Sequence, residues 1–397
     1  MSVVGINENG LAGLCDDARA AISEAVLVVG GKRHIELMQA LIKAETLSWP
    51  SPPHDAIPDI IAKRPQKVCV LTSGDPFNHG MGAVLARHIP PAEMRVYSAP
   101  SIFSLVAAKM GWALQHTITI GLNGRPLERV IPYLQPAAHI IALSADEKTP
   151  RALAELLVAH SFGDVVMTVL EHVGGAKERV HAMKASEFTL SNIARLNCIA
   201  LEIPEGVARC IPITSGLADD WFEHDGQMTK REVRAITLAA LAPRRGETLW
   251  DIGLGAGSIA IEWLLRDPTN RAIGFEKNAQ RAARAAGNAK ALGVPQLVVL
   301  EGNAPEVLEG IEPPDAIFIG GGAGISGMIA HCWSLLKPDG RLVVNAVSLE
   351  TESLLLAAHK KYGGNLIRIG IERADAISPD MSGWRPAMTV TQWSATK

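Results

Sequence analysis

The chain has 397 residues, enough for two or three domains, and its 48% hydrophobic content can fill sizeable cores. A formal net charge of −3 without a basic block, and aromatic residues at 5%, exclude wholesale attraction to nucleic acid and a base-stacking surface. The five cysteines are scattered, with no Cys-x-x-Cys pair, so neither a disulfide framework nor a metal site is encoded. No run approaches the roughly 18 apolar residues of a membrane span. No basic and apolar leader precedes Val3-Val4. A cytoplasmic protein that binds no membrane, nucleic acid or metal is expected.

Short β-branched runs alternate with Ala/Leu-rich stretches along the chain, the pattern of an α/β fold. In the first half, strands are expected over 26–29, 68–71, 140–143 and 165–170. Between the first two of these and the rest lies the turn Gly74-Asp75-Pro76, with Gly80 and Gly82 close behind. Gly74 permits close backbone approach, Asp75 offers a carboxylate to a cationic ligand, and Pro76 fixes the turn. Around 203–226 the periodicity fades among Pro204, Gly206, Pro212 and Gly216. The expected division is therefore residues 1–205, a linker over 206–225, and residues 226–397.

A helix over 229–241 opens the second half, followed by strands over 248–252, 272–275, 297–300, 316–319 and 341–345. Several are continuous apolar runs, as for strands buried on both faces. After the first of them comes Gly253-Leu254-Gly255-Ala256-Gly257, then a helical stretch from Ser258. The spacing is Gly-x-Gly-x-Gly, not the Gly-x-Gly-x-x-Gly that receives a pyrophosphate. Asp251, two residues before the first glycine, would repel a pyrophosphate but suits a ligand carrying an ammonium and a sulfonium. The next strand ends in Glu276, where a carboxylate can accept both hydrogen bonds of a ribose diol. The third ends before Asn303-Ala304, positioned to flank an adenine. This ordered set reads as a site for S-adenosylmethionine. The fourth strand ends in Gly320-Gly321-Gly322. It lacks the Asn/Asp-Pro-Pro-aromatic motif of amine methylation, and its glycines open space for a bulky, flat carbon or oxygen acceptor.

Taken together, the 249–263, 301–306, 319–322 and 336–342 segments closely resemble the decarboxylating precorrin-6B (precorrin-6Y) methyltransferase family of cobalamin biosynthesis, over residues 220–397. That resemblance adds Thr229, just before the first helix, as a residue reaching the cofactor. In the first half, Val3 to Ile6 with Gly10, Val29 to His34 and Leu71 to Pro76 resemble the tetrapyrrole (corrin/porphyrin) methylase family. There the resemblance places Gly74, Asp75, Pro76, Ser101 and the strand end at Glu171 near a cofactor cleft between two α/β subdomains. Asn7 stands where that family carries a second glycine, and Asn tolerates a left-handed backbone.

The resemblance implies a tetrapyrrole-methylase fold fused to a class I Rossmann-like methyltransferase domain, with one S-adenosylmethionine site in each. It implies methylation of precorrin-6B at C-5 by the first half. The second half would methylate C-15 and decarboxylate the C-12 acetate, giving precorrin-8. Because many enzymes of this type are oligomers, a homo-oligomer is expected. Cationic candidates for the substrate's carboxylates are Arg231, Arg234, Arg281, Arg373 and Arg385. His34, His79 and His172 are candidate proton relays, and the residues single out no general base. Two other readings remain open from the residues: an RNA or protein methyltransferase on the same fold, and a first half that only binds substrate.

Overall fold

The computed structural model describes residues 1–207 and 209–397. The chain divides into two units. The first comprises 1–127 with 133–209, and the second 210–397 with the short stretch 128–132.

The first unit holds two five-stranded sheets. Strands β1 (Ser2–Ile6), β2 (Leu27–Gly30), β3 (Glu45–Ser48), β4 (Val68–Ser73) and β5 (Arg95–Tyr97) form one sheet, ordered β3-β2-β4-β1-β5. Every pairing in it is parallel. Strands β1, β2 and β4 are buried almost throughout, the expected state of parallel strands covered by helices on both faces. The second sheet is made of β6 (Thr117–Gly121), β7 (His139–Leu143), β8 (Val166–Glu171), β9 (Arg179–Lys184) and β10 (Asn197–Glu202), ordered β6-β7-β10-β8-β9. Only its β6–β7 pairing is parallel. Strand β9 is exposed along most of its length, which fits an edge position.

The second unit is a seven-stranded sheet. Its strands are β11 (Thr248–Ile252), β12 (Arg271–Glu276), β13 (Val298–Glu301), β14 (Ala316–Ile319), β15 (Arg341–Ala346), β16 (Asn365–Ile369) and β19 (Val390–Thr396). The order is β13-β12-β11-β14-β15-β19-β16, parallel up to β15 and antiparallel at β19. The chain builds outward from β11 in one direction, then returns to β14 on its other side. Loops after β11 and β14 therefore splay apart at a topological switch point, where open α/β sheets bind ligands. Trp250, Phe275, Ile317 and Trp393 anchor the core beneath, with the Trp250 and Phe275 rings edge to face at 5.4 Å. Between β16 and β19 an antiparallel hairpin, β17 (Glu372–Ser378) with β18 (Met381–Pro386), stands apart from the sheet.

Two local differences from the sequence expectations have clear causes. The helix expected over 229–241 runs from Arg231 to Leu241, because Lys230 takes an extended N-cap conformation. Residues 210–225, expected within the linker, lie in the second unit. The N–H groups of Gly216 and Leu217 donate to the Glu262 carboxylate at 2.7 and 2.9 Å, while the side chain of Asn288 holds the backbone of Glu223. Loss of periodicity marked a strap that gets its order from partners distant in sequence. Among the described residues no helix is long and apolar enough to cross a membrane.

Candidate active site

The switch-point crevice of the second unit is a cavity of about 730 Å³, within the usual range of ligand clefts. Thr229, Asp251, Gly253, Leu254, Gly255, Ala256, Glu276, Asn303 and Ala304 all line it. Gly257 does not. It caps the helix Ser258–Arg266 with a φ of 78°, and a Cβ there would lie 3.1 Å from that of Ala285, so it serves helix packing.

The loop after β11 needs its glycines. Gly253 has a φ of 76°, and a Cβ on it would come within 2.6 Å of the Gly321 nitrogen. The two loops thus meet backbone to backbone. The glycines after β14 allow this contact as well as leaving space: Gly320 and Gly321 both donate to the Ile252 carbonyl, at 3.0 and 3.3 Å. A Gly253→Val substitution should therefore displace both loops and lose cofactor binding in this unit. Equilibrium dialysis with S-adenosylmethionine checks it.

Asp251 is 1% exposed and accepts a hydrogen bond from the Ala260 N–H at 3.1 Å. Burial pushes its carboxyl up to about 8, with the Ala260 bond opposing and the charge of Glu276 adding to the rise. A cation arriving at Asp251 would favour ionisation, so binding below about pH 8 should release a proton. S-adenosylmethionine affinity should then rise with pH and level off near 8. Calorimetry in two buffers of different ionisation enthalpy should show the release in the parent chain and its loss in Asp251→Asn. In the ligand-free protein the sign runs the other way. The carboxyl is raised above its unfolded value, so its contribution to stability is complete below the unfolded pKa and disappears as pH climbs towards 8.

Glu276 is positioned by the backbone: Gly255 N–H donates to one of its oxygens at 2.9 Å and Asn278 N–H to the other at 3.0 Å. Each oxygen keeps a lone pair for a further donor. The residues present therefore fit S-adenosylmethionine. A protonated, buried carboxylate awaits a cation, a second carboxylate is held at the end of the adjoining strand, and the glycine loop leaves room between them.

The arginine candidates separate. Arg281 and Arg373 line the cavity; Arg281 pairs with Asp225 at 2.8 Å and reaches Gln227, and Arg373 pairs with Glu232. Arg385 pairs with Asp375 on the exposed hairpin. Arg231 donates to the Gly216 carbonyl at 3.0 Å. Arg234, expected as a substrate contact, is fully buried. It donates to Glu262 at 2.6 Å and to the Thr229 carbonyl at 2.6 Å, and lies over the Phe222 ring. Its work is internal: it fixes the strap and, through Thr229, the cavity rim. Sequence reasoning missed Lys230, Lys277, Ile371 and Met388, which also line the cavity. No periodic signal marks them, because they come from a helix N-cap, a turn after β12 and the two connections that flank the hairpin.

In the first unit, Gly74 has a φ of 54°, and a Cβ there would lie 3.0 Å from the Pro100 carbonyl and 3.2 Å from the Ser101 Cα. A Cβ on Gly5 would overlap the Gly74 carbonyl. The ends of β1 and β4 and the start of the helix Ile102–Met110 thus meet at one point. Ser101 caps that helix, accepting from Ser104 N–H at 3.2 Å. Asp75 accepts from Phe77 N–H at 2.7 Å, and the Pro76 carbonyl sits beneath Gly80 and Gly82. Asn7 needs no left-handed backbone: Gly10 takes it, with a φ of 59°. The Asn7 amide instead donates to the Pro100 carbonyl at 3.1 Å. Glu171 is buried and engaged by Arg179. His34 is held neutral, burial and then Arg33 pulling its pKa down to about 4. Burial, with Arg125, also lowers His79.

Fold and cavity define the class, a two-unit α/β methyltransferase. Residues 220–397 match the precorrin methyltransferase domain family, and residues 3–189 match the tetrapyrrole (corrin/porphyrin) methylases. The chain is 52% identical to a precorrin-6Y C(5,15)-methyltransferase [decarboxylating] from a Sinorhizobium species, over 100% of this chain and 96% of that one. It is 36% identical to the protein so named in Mycobacterium tuberculosis, over 100% of this chain and 99% of that one. A cobalt-precorrin-6B C(15)-methyltransferase (decarboxylating) from Salmonella typhi is 31% identical over 40% of this chain and 79% of that one. The chain belongs to the family of decarboxylating precorrin-6Y C(5,15)-methyltransferases.

Proposed function

We propose that the chain methylates one precorrin-6Y at two carbons from two separate S-adenosylmethionine sites. The second unit would act at C-15 with decarboxylation, and the first at C-5. The observation that carries the reading is the convergence of Asp251, Gly253, Glu276 and Asn303 on one cavity at the switch point. The Salmonella typhi relative, named for C-15 and decarboxylation alone, matches less than half of this chain. That supports chemistry divisible between the units.

Bound S-adenosylmethionine would supply an electrophilic methyl group. The protein's part is to hold donor and acceptor together. In the second unit Asp251 and Glu276 would fix the donor at its charged and ribose ends, and Asn303 with Ala304 would flank its adenine. Thr229 and the strap would cover it, and the post-β14 glycines would leave a flat acceptor free to approach. Lys277, Arg281 and Arg373 would meet the acceptor's carboxylates, the last two exchanging Asp225 and Glu232 for them. The apolar rim of Ile371 and Met388 would keep water from an acetate about to lose carbon dioxide. Catalysis rests on proximity and orientation, with no enzyme nucleophile required. In the first unit Gly74, Asp75, Pro76 and Ser101 would form the donor site.

Counting sites tests the proposal. The full chain should bind two S-adenosylmethionine molecules, and Gly253→Val should bind one. One site in the parent chain would overturn it in favour of a first unit that only carries substrate.

A further inference from the structure

The first unit gathers a second set of ionisable groups beside its glycine turn. Glu8 follows β1 of one sheet and His172 follows β8 of the other, and the Glu8 carboxylate lies 3.0 Å from the His172 Nδ1. The other Glu8 oxygen receives the Arg33 guanidinium. Although burial opposes it, the His172 hydrogen bond and the Arg33 charge hold the Glu8 carboxyl below its ordinary value. Asn7, the residue before Glu8, is the one tied to Pro100 beside Gly74 and Ser101.

The loop carrying His172 is shaped for this meeting. His172 has a φ of 47°, a left-handed conformation that non-glycine residues seldom take and that often marks functional sites. Its backbone is held by Leu196 at 3.1 Å and Gly175 at 2.9 Å. A Cβ on Gly175 would lie 2.7 Å from the Glu8 Cβ, so glycine lets the loop close down on Glu8. Around the loop, Glu171 is paired with Arg179, and Glu178 with Lys109 and the Gly174 N–H, while Lys177 makes no ion pair among the described residues. With Nδ1 donating to an ionised carboxylate, Nε2 becomes the proton acceptor. The ring is about a quarter exposed, at 26%, and no hydrogen bond to Nε2 occurs among the described residues.

Methylation of a carbon that bears hydrogen replaces C–H by C–CH₃ and must release a proton. Where carbon dioxide also leaves, the decarboxylation takes one up. At a carbon methylated without decarboxylation, nothing in the reaction consumes it. We propose that His172, oriented by Glu8, is the general base that removes this proton during methylation in the first unit. As the new C–C bond forms, the S–CH₃ bond of the donor breaks and its electron pair stays on the sulfur of the departing thioether. The C–H bond then breaks and its electron pair returns to the macrocycle's conjugation. The proton goes to Nε2 and leaves to water with product release. The inference rests on the first unit being the site of C-5 methylation.

The test uses the full chain with precorrin-6Y and S-adenosylmethionine, reading products by mass spectrometry. His172→Gly suits the left-handed backbone and so preserves the loop. C-5 methylation should slow by about 10²-fold or more, the usual contribution of a positioned base, and added imidazole should restore it. C-15 methylation, decarboxylation and the KM for S-adenosylmethionine should not change. Glu8→Gln should lower kcat for C-5 methylation and leave the KM for S-adenosylmethionine unchanged, as for a residue that acts through His172. C-5 methylation within about threefold of the parent in His172→Gly, a loss that imidazole does not restore, or an unchanged kcat in Glu8→Gln would overturn the assignment. The underlying reading fails separately: a Gly74→Val chain that loses C-15 and keeps C-5 methylation shows that the units are wrongly assigned, whatever His172 does.

Discussion

Arg234→Ala is expected to lower the stability of the second unit by about 3–5 kcal/mol, the usual cost of leaving one member of a buried ion pair alone. Arg234 and Glu262 are each 0% exposed and 2.6 Å apart. The remaining guanidinium donors go to the Leu217 and Thr229 carbonyls and to Asp219 at 3.3 Å. Glu262 also accepts the Gly216 and Leu217 N–H groups. Removing the arginine strands a buried carboxylate and frees the strap at Leu217 and Asp219 and the cavity rim at Thr229. Arg234→Lys keeps a charge but not the planar fork, and should lose less. Differential scanning calorimetry should show the transition of the second unit falling by several degrees in Arg234→Ala. An unchanged transition would mean the pair does not hold the strap.

Asp251→Asn should weaken S-adenosylmethionine binding in the second unit by about 10²-fold, as expected for losing a charge-assisted contact in a dry site. The amide oxygen can still accept from Ala260 N–H, so the loop and helix should keep their places. C-15 methylation and decarboxylation should fail together while C-5 methylation continues. Isothermal calorimetry with product mass spectrometry reads both. Loss of both methylations would contradict independent sites.

These two residues also show what was legible in the sequence. Asp251, the glycines and Glu276 stand at strand ends, and their spacing follows from the sheet itself: a βαβ unit brings successive strand ends to one crevice. Such positions can be read from period and turn chemistry alone. Arg234 cannot. As an arginine near a helix start it resembled a surface cation facing substrate, and only the tertiary partner 28 residues away in sequence makes it a buried clamp. The strap over 210–225 was misread as a linker for the same reason, since its order comes from Glu262 and Asn288. Asn7 shows a subtler limit. The sequence pointed to backbone tolerance, whereas the structure uses its amide to tie two loops. The cavity's apolar rim at Ile371 and Met388 was invisible because the chain enters and leaves it through a hairpin outside the main sheet.

The central claim, two methyl-transfer sites working on one tetrapyrrole, has a direct measurement: the mass of the final product when the full chain is incubated with precorrin-6Y and excess S-adenosylmethionine. The account predicts a product with two methyl groups gained and one carbon dioxide lost per molecule. A product with a single methyl gain, or no turnover of precorrin-6Y beside tight and steeply salt-dependent RNA binding, would contradict it.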